Sequence, residues 1–285
     1  MKLLKRTFLA LATVVLLIFS GFTTIASAGV QDQPRLSVCQ ETPVAAHRGS
    51  VGPKTDENTL EAFRLAVRQR ADIIETDLRF SRSGTGWFMH NPDVRETTNG
   101  HGLLRSMSDK QLSRLRTKHG SSVPRDTELI TFLVNNPEVG AQVELKDYSS
   151  KPKWLKAFGQ KVLDAGLQDR IAWSSGSRQL LLRMAKFTPG MRLEWIGFNE
   201  DLPPLSKFGK KIDQSNVLYR AAFRHYGGYA TYMGAAKAKG IDVSIRSTAS
   251  GEGDNPVVWA RAIKAGVTQF VTNRLPLYRR WCDSR

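Results

Sequence analysis

Four short stretches of the chain carry residue types suited to acid–base and cation chemistry. "AAHRGS" puts His47 and Arg48 at the end of an apolar run, and "IIETDL" puts Glu75 and Asp77 two residues apart. "WFMHN" supplies His90, and "VELK" supplies Glu144 and Lys146. Each stretch reads as a strand, and alternate residues of a strand face one side. Glu75 and Asp77 therefore point together, as do Glu144 and Lys146. Three carboxylates at neighbouring strand ends make an oxygen-rich site suited to one hard divalent cation, Ca2+ or Mg2+. No Cys or paired-His ligand set accompanies them, which disfavours zinc. His47 and His90 flank the carboxylates and titrate near neutral pH, as a general base and a general acid must. Taken singly, each motif has a plainer reading. A His before Arg-Gly is usually structural, acids often end strands to reach water, and Glu-x-Lys commonly forms an ion pair. Their order, at successive strand ends, is what points to a site.

The elements that must position these residues alternate between strand and helix. Strands are expected near residues 44, 73, 141, 171, 192, 217, 242 and 269. Apolar residues at helical spacing mark helices over 59–70, 108–117, 126–136, 153–166, 178–187, 229–240 and 255–266. Asn58 is the expected N-cap of the first. The turn 81–86 and the stretch 87–90 add a hairpin arm to the second strand. Regular alternation argues for a parallel sheet covered by helices, and eight units argue for a (β/α)8 TIM barrel with a small hairpin and insertion after strand 2. No strong GxGxxG follows a strand, which counts against a dinucleotide-binding sheet. In such a barrel the active site lies at the C-terminal strand ends, where the four stretches place their polar residues.

The chain has 285 residues and a formal net charge of +16, with no dense Lys/Arg block. Scattered positive charge favours anionic substrates or surfaces, including a cell-wall polymer or a membrane surface. A nucleic-acid reader would carry a recognisable motif and a basic stripe, so no nucleic-acid partner is expected. Lys2, Lys5 and Arg6, an apolar run from Phe8 to Phe19, and Ala26-Ser27-Ala28 fit a secretory signal peptide over residues 1–28. A secreted domain over 29–285 is the expectation. The two cysteines, Cys39 and Cys282, lie in no zinc pattern, and an even pair in an exported protein suggests a disulfide. Cys39 precedes the first strand, at the bottom of the barrel. "LPLYRRWC" after the last strand can descend as a helix by about 12 Å, bringing Cys282 towards Cys39.

From "AHRG" (46–49) through "DENTLEAF" (56–63), "IETDL" (74–78), "HNPDVRETTNG" (90–100), "VELK" (143–146) and "FVTNRLP" (270–276), the chain resembles the glycerophosphodiester phosphodiesterase family. The resemblance implies a TIM barrel and one divalent metal held by Glu75, Asp77 and Glu144. It makes His47 and His90 the acid–base pair and Arg48 and Lys146 contacts to the substrate phosphate. The implied reaction hydrolyses a small or lipid-derived phosphodiester to glycerol 3-phosphate and an alcohol. Four departures stand out. Asn91 follows His90 where the family usually has Asp, and "SRSG" replaces a Lys-Asp-Gly turn. Arg246 stands near a usual Trp-Thr pair, and Asn273 replaces Asp after the last strand. These imply a shifted substrate rather than lost catalysis. A lysophospholipase D reading needs an apolar rim, for which Trp173, Trp195 and Phe198 are the candidates, with buried core the plainer role for each. A non-catalytic binding protein is the third reading, and the presence of both histidines and all three carboxylates weighs against it. His101, His119 and His225 read as loop or surface residues.

Overall fold

Short β-branched runs separated by amphipathic helices build a closed parallel barrel. The structure is a computed structural model that describes residues 41–146, 150–197, 214–218, 229–246 and 254–285. The strands are β1 (Val44–Ala46), β2 (Ile73–Phe80), β3 (Gly86–Phe88), β4 (Gly140–Leu145), β5 (Ile171–Ser175), β6 (Arg192–Gly197), β7 (Gln214–Leu218), β8 (Asp242–Arg246) and β9 (Gln269–Thr272). All neighbours pair in parallel except β3, which runs antiparallel to β2 as the hairpin arm. β1 closes the ring, because Ala45 pairs with Ile73 on one side and with Val271 on the other. Setting β3 aside, these are the eight strands expected from the sequence, including the weak one at 217.

The helices are α1 (Leu60–Arg68), α2 (Asp109–Leu112), α3 (Asp126–Asn135), α4 (Pro152–Asp164), α5 (Arg178–Phe187), α6 (Tyr229–Ala238), α7 (Pro256–Lys264) and α8 (Leu275–Asp283). Local chemistry sets their ends. Asn255 caps α7 by accepting from Val257 and Val258 N–H, and Pro256 occupies the first turn, where a missing N–H costs nothing. Gly166, at φ 67°, takes the left-handed position after α4. The apolar faces of strands and helices meet between sheet and helical layer. There Phe63 packs on Phe132 at 5.9 Å and Phe158 on Trp173 at 5.4 Å, within the range where ring pairs attract.

Three local expectations need correction. The cap of α1 is Thr59, whose Oγ1 accepts from Ala62 N–H at 3.1 Å, and Asn58 is used elsewhere. The helix expected over 108–117 ends at Leu112. Beyond it Arg116 and Thr117 form isolated bridges with Ser122 and Thr98, so backbone pairing within the insertion wins over helical spacing. The hairpin strand stops at Phe88, leaving His90 in the turn that follows. Residues 1–28, Cys39, Phe198 and His225 lie outside the described residues. Among the described residues, no helix is long and apolar enough to cross a membrane.

Candidate active site

The parallel register sets the carboxylates side by side. Asp77 of β2 pairs with Glu144 of β4, and Glu75 sits two residues earlier on the same strand face. Ligand oxygens of Glu75, Asp77 and Glu144 lie within 4.8 Å of one another, and all three residues are buried. Asp77 is fixed by Asn58, whose Nδ2 donates to Asp77 Oδ2 at 2.9 Å. Asn58 Oδ1 accepts from Asp77 N–H at 3.1 Å and from the Thr76 hydroxyl at 2.6 Å. This needs Asn58 at φ 55°, a left-handed conformation that Asn tolerates better than most residues.

The turn after β1 brings Arg48 to the same carboxylates. Its N–H donates to Glu75 Oε2 at 2.9 Å, its Nη1 donates to Glu57 at 2.8 Å, and its Nε lies 3.5 Å from Asp77 Oδ2. Gly49 makes the turn possible. At φ 78°, a Cβ there would lie 2.8 Å from Ala62 Cβ and 2.9 Å from the Ala62 carbonyl carbon. Lys146 Nζ lies 2.9 Å from Glu144 Oε1 and 3.6 Å from Asp77 Oδ1. The Glu-x-Lys pair is thus an ion pair at the carboxylate cluster.

Burial, then repulsion from Asp77 and Glu144, pushes the Glu75 carboxyl well above the usual range. Burial and Asp77 raise Glu144 despite Lys146 beside it. Asp77 also feels burial, but Lys146 and Arg48 outweigh it and hold this carboxyl low. Asp77 Oδ1 and Glu144 Oε2 are buried with no hydrogen-bond partner. Crowded anionic oxygens with unused lone pairs fit a hard divalent cation, whose charge would relieve the repulsion.

The histidines flank this cluster. His47 Nδ1 lies 2.7 Å from Asn273 Oδ1, and its Nε2, buried and without a hydrogen-bond partner, lies 3.8 Å from Glu75 Oε2. Burial, then Arg246 and Arg48, lowers the ring to about 3, so His47 is neutral near pH 7. With Nδ1 donating to the amide oxygen, the lone pair stands on Nε2. His90 is hydrogen-bonded through Nδ1 to Asn91, and its backbone carbonyl accepts from Arg79 Nε at 3.0 Å. Burial lowers His90 as well, with Asp77 opposing and Lys146 and Arg48 adding to the shift.

The family model described as "Glycerophosphoryl diester phosphodiesterase family" matches residues 47–190, half of the chain, from His47 through all three carboxylates. The chain belongs to this family. YhdW of Bacillus subtilis is 38% identical over 124 residues, covering 41% of this chain and 50% of the relative. The glycerophosphodiester phosphodiesterase of Bacillus altitudinis is 26% identical over 160 residues, covering 53% and 65%. The chain thus spans half to about two thirds of the length of these relatives. Among solved structures, an Oleispira antarctica phosphodiesterase in complex with the product sn-glycerol-3-phosphate superposes with a TM-score of 0.74 at 19% identity. It covers 86% of this chain and 99% of that one, a likeness of fold.

Two of the chain's departures from the family pattern turn out to be the histidine partners. Asn273 and Asn91 present neutral amides where Asp would present charge, so neither imidazolium gains a directly bonded carboxylate. Asn273 is itself held by Asp254, whose Oδ2 accepts its N–H at 2.8 Å and whose Oδ1 accepts from the Thr272 hydroxyl. Arg246, at the end of β8, brings Nη1 to 3.9 Å from Glu144 Oε2. The hydrogen-bonding roles of Glu57, Asn58, Arg79 and Asp254 escaped the sequence reading. Only Arg79 carried a signal, its same-face spacing from Asp77. Of the rim candidates, Trp173 is core, with Nε1 donating to Thr188 at 2.9 Å, and Trp195 is partly buried and packs against the core. His101 is exposed, and His119 pairs with Asp56 at 2.9 Å.

Proposed function

We propose that this protein is a secreted, metal-dependent phosphodiesterase that hydrolyses glycerophosphodiesters to glycerol 3-phosphate and an alcohol. The observation that carries the reading is the buried cluster of Glu75, Asp77 and Glu144, flanked by His47 after β1 and His90 after β3, all within the family-matched residues. Glu75, Asp77 and Glu144 would hold one Ca2+ or Mg2+, which when bound draws charge from a phosphoryl oxygen. Arg48 and Lys146 balance charge at the cluster and supply cations to the phosphate, Arg as a planar fork and Lys as a point charge. Asn273 and Asn91 orient the imidazoles so that each turns one ring nitrogen to the substrate. One histidine takes the proton of the substrate's own glycerol hydroxyl as it attacks phosphorus, and the other gives a proton to the departing alkoxide. Water then opens the cyclic phosphate with the two roles reversed. The segment 1–28 supports export, which puts the substrate outside the cytoplasm.

The test is to incubate the purified protein with a panel of glycerophosphodiesters, with and without chelator, and to identify the products. Glycerol 3-phosphate released only with Ca2+ or Mg2+ present is the expected result. Full turnover in chelator, with no metal retained, would refute the metal-dependent reading.

A further inference from the structure

Resting on that reading, we infer that a groove beside the active site receives the leaving alcohol of the substrate, and that its chemistry selects an uncharged, hydroxyl-rich alcohol. The groove lies between the loop after β1 and the insertion after β3, with a volume of about 570 Å³. That falls within the roughly 300–1,000 Å³ typical of small-molecule sites. Two of its lining residues touch the partners of the carboxylate cluster and of His90. Glu57 accepts from Arg48 Nη1 at 2.8 Å, and Arg48 in turn binds Glu75. Glu96 accepts from the amide of Asn91, which holds His90. The groove thus adjoins the site through Arg48 on one side and Asn91 on the other, which is where an arm leaving the phosphate would run.

The lining chooses among the alcohols. Asp56, Glu57, Glu96 and Arg95 line the groove but are each already partnered, by His119, Arg48, Asn91 and Asp93, so with Lys118 beside them little net charge is left for a ligand. Near-neutrality favours neither a second phosphate nor an ammonium group. No aromatic residue is among the described lining residues, so a quaternary ammonium finds no cation–π cage there. Carboxylates and threonine hydroxyls are instead good partners for alcohol groups. The Thr97 hydroxyl is buried with no hydrogen-bond partner. Val51, 54% exposed on the groove wall, offers an apolar surface for the C–H face of a polyol.

The experiment compares kcat/KM for glycerophosphoinositol and glycerophosphoglycerol with that for glycerophosphocholine and the methyl ester of glycerol 3-phosphate. Wild type is expected to favour the polyol substrates. Val51→Trp, which fills the groove from an exposed position, should lower kcat/KM for them by about tenfold or more, mainly through KM. The same variant should change the methyl ester by less than about twofold. Thr97→Val should weaken the polyol substrates selectively, in the same direction. Equal losses on all substrates, no loss on any, or a wild-type preference for the choline ester would overturn the subsite. If wild type with metal turns over no diester at all, the proposed reaction fails and the subsite with it. That outcome is distinct from an active enzyme indifferent to the leaving alcohol.

Discussion

Replacing Glu194 by Gln should stabilise the protein, and by an amount that depends on pH. Glu194 lies on β6, 1% exposed, beside Ser174 of β5 and with Gln142 of β4 near its carboxyl. Gln142 Oε1 in turn accepts from Gln269 Nε2 at 3.0 Å, while Glu194 Oε2 has no hydrogen-bond partner. Burial moves its carboxyl from 4.5 to about 7, and Arg192 and Gln142 offset only part of this. At pH 4 the side chain is largely protonated folded and unfolded, so the shift costs little. As pH rises past 4.5 the unfolded chain releases its proton while the folded protein keeps it, and stability falls. Above about 7 both states are ionised and the loss is complete. At about 1.4 kcal/mol per pKa unit, it amounts to about 3 kcal/mol. Gln keeps the shape and removes the charge, and Ser174, its neighbour across the β5–β6 pairing, has an unpartnered hydroxyl. Urea unfolding of wild type and Glu194→Gln, followed by circular dichroism from pH 4 to pH 8 in chelator, should show little difference at the acid end. A gain of about 2–3 kcal/mol is expected at the alkaline end. A pH-independent difference, or a variant weaker at pH 8, would refute the argument, since it would mean that the carboxylate is charged and well solvated inside the barrel.

His47→Ala and His90→Ala should each keep the native circular dichroism spectrum and lower kcat by about 10²-fold or more, and near-normal turnover in either would return that residue to a structural role. Burial and mutual repulsion raise Glu75 and Glu144, so protons compete with the cation. Calorimetric Ca2+ or Mg2+ affinity should therefore fall as pH is lowered, with protons released on binding, and a pH-independent affinity would contradict the ligand set. Gly49→Ala puts a Cβ 2.8 Å from Ala62 Cβ at positive φ. It should cost about 1–3 kcal/mol in chemical unfolding and weaken metal binding through Arg48 and Glu75, whereas a neutral substitution would show that the turn is loosely packed. Cys282 is buried on α8, and non-reducing mass spectrometry should find its peptide linked to that of Cys39, while two freely alkylated thiols would exclude the disulfide.

The barrel was legible because its signals are local and repeated. Each β-branched run and each helical spacing depends on neighbours a few residues away, and eight alternations leave few topologies to choose from. Even the weak run at 217 falls in register between β6 and β8. Errors arose where local signals competed. Asn58 and Thr59 both make good caps, and only the need to hold Asp77 gave the cap to Thr59. Residues 108–117 have helical spacing, but pairing across the insertion stopped the helix at Leu112.

The sequence by itself determined which residue types stand at the strand ends, because alternation along one strand puts Glu75 with Asp77 and Glu144 with Lys146. It could not decide what those groups touch, since that depends on register between strands and on turns remote in the chain. The pairing of β2 with β4 brought Asp77 to Glu144. Closure of β1 against β9 brought Asn273, 226 residues away, to His47. Lys146 left open a choice between ion pair and phosphate contact, and in this fold it lies against Glu144 and Asp77. Side-chain identity is written along the chain, whereas distance, burial and the resulting proton affinities exist only once the barrel closes.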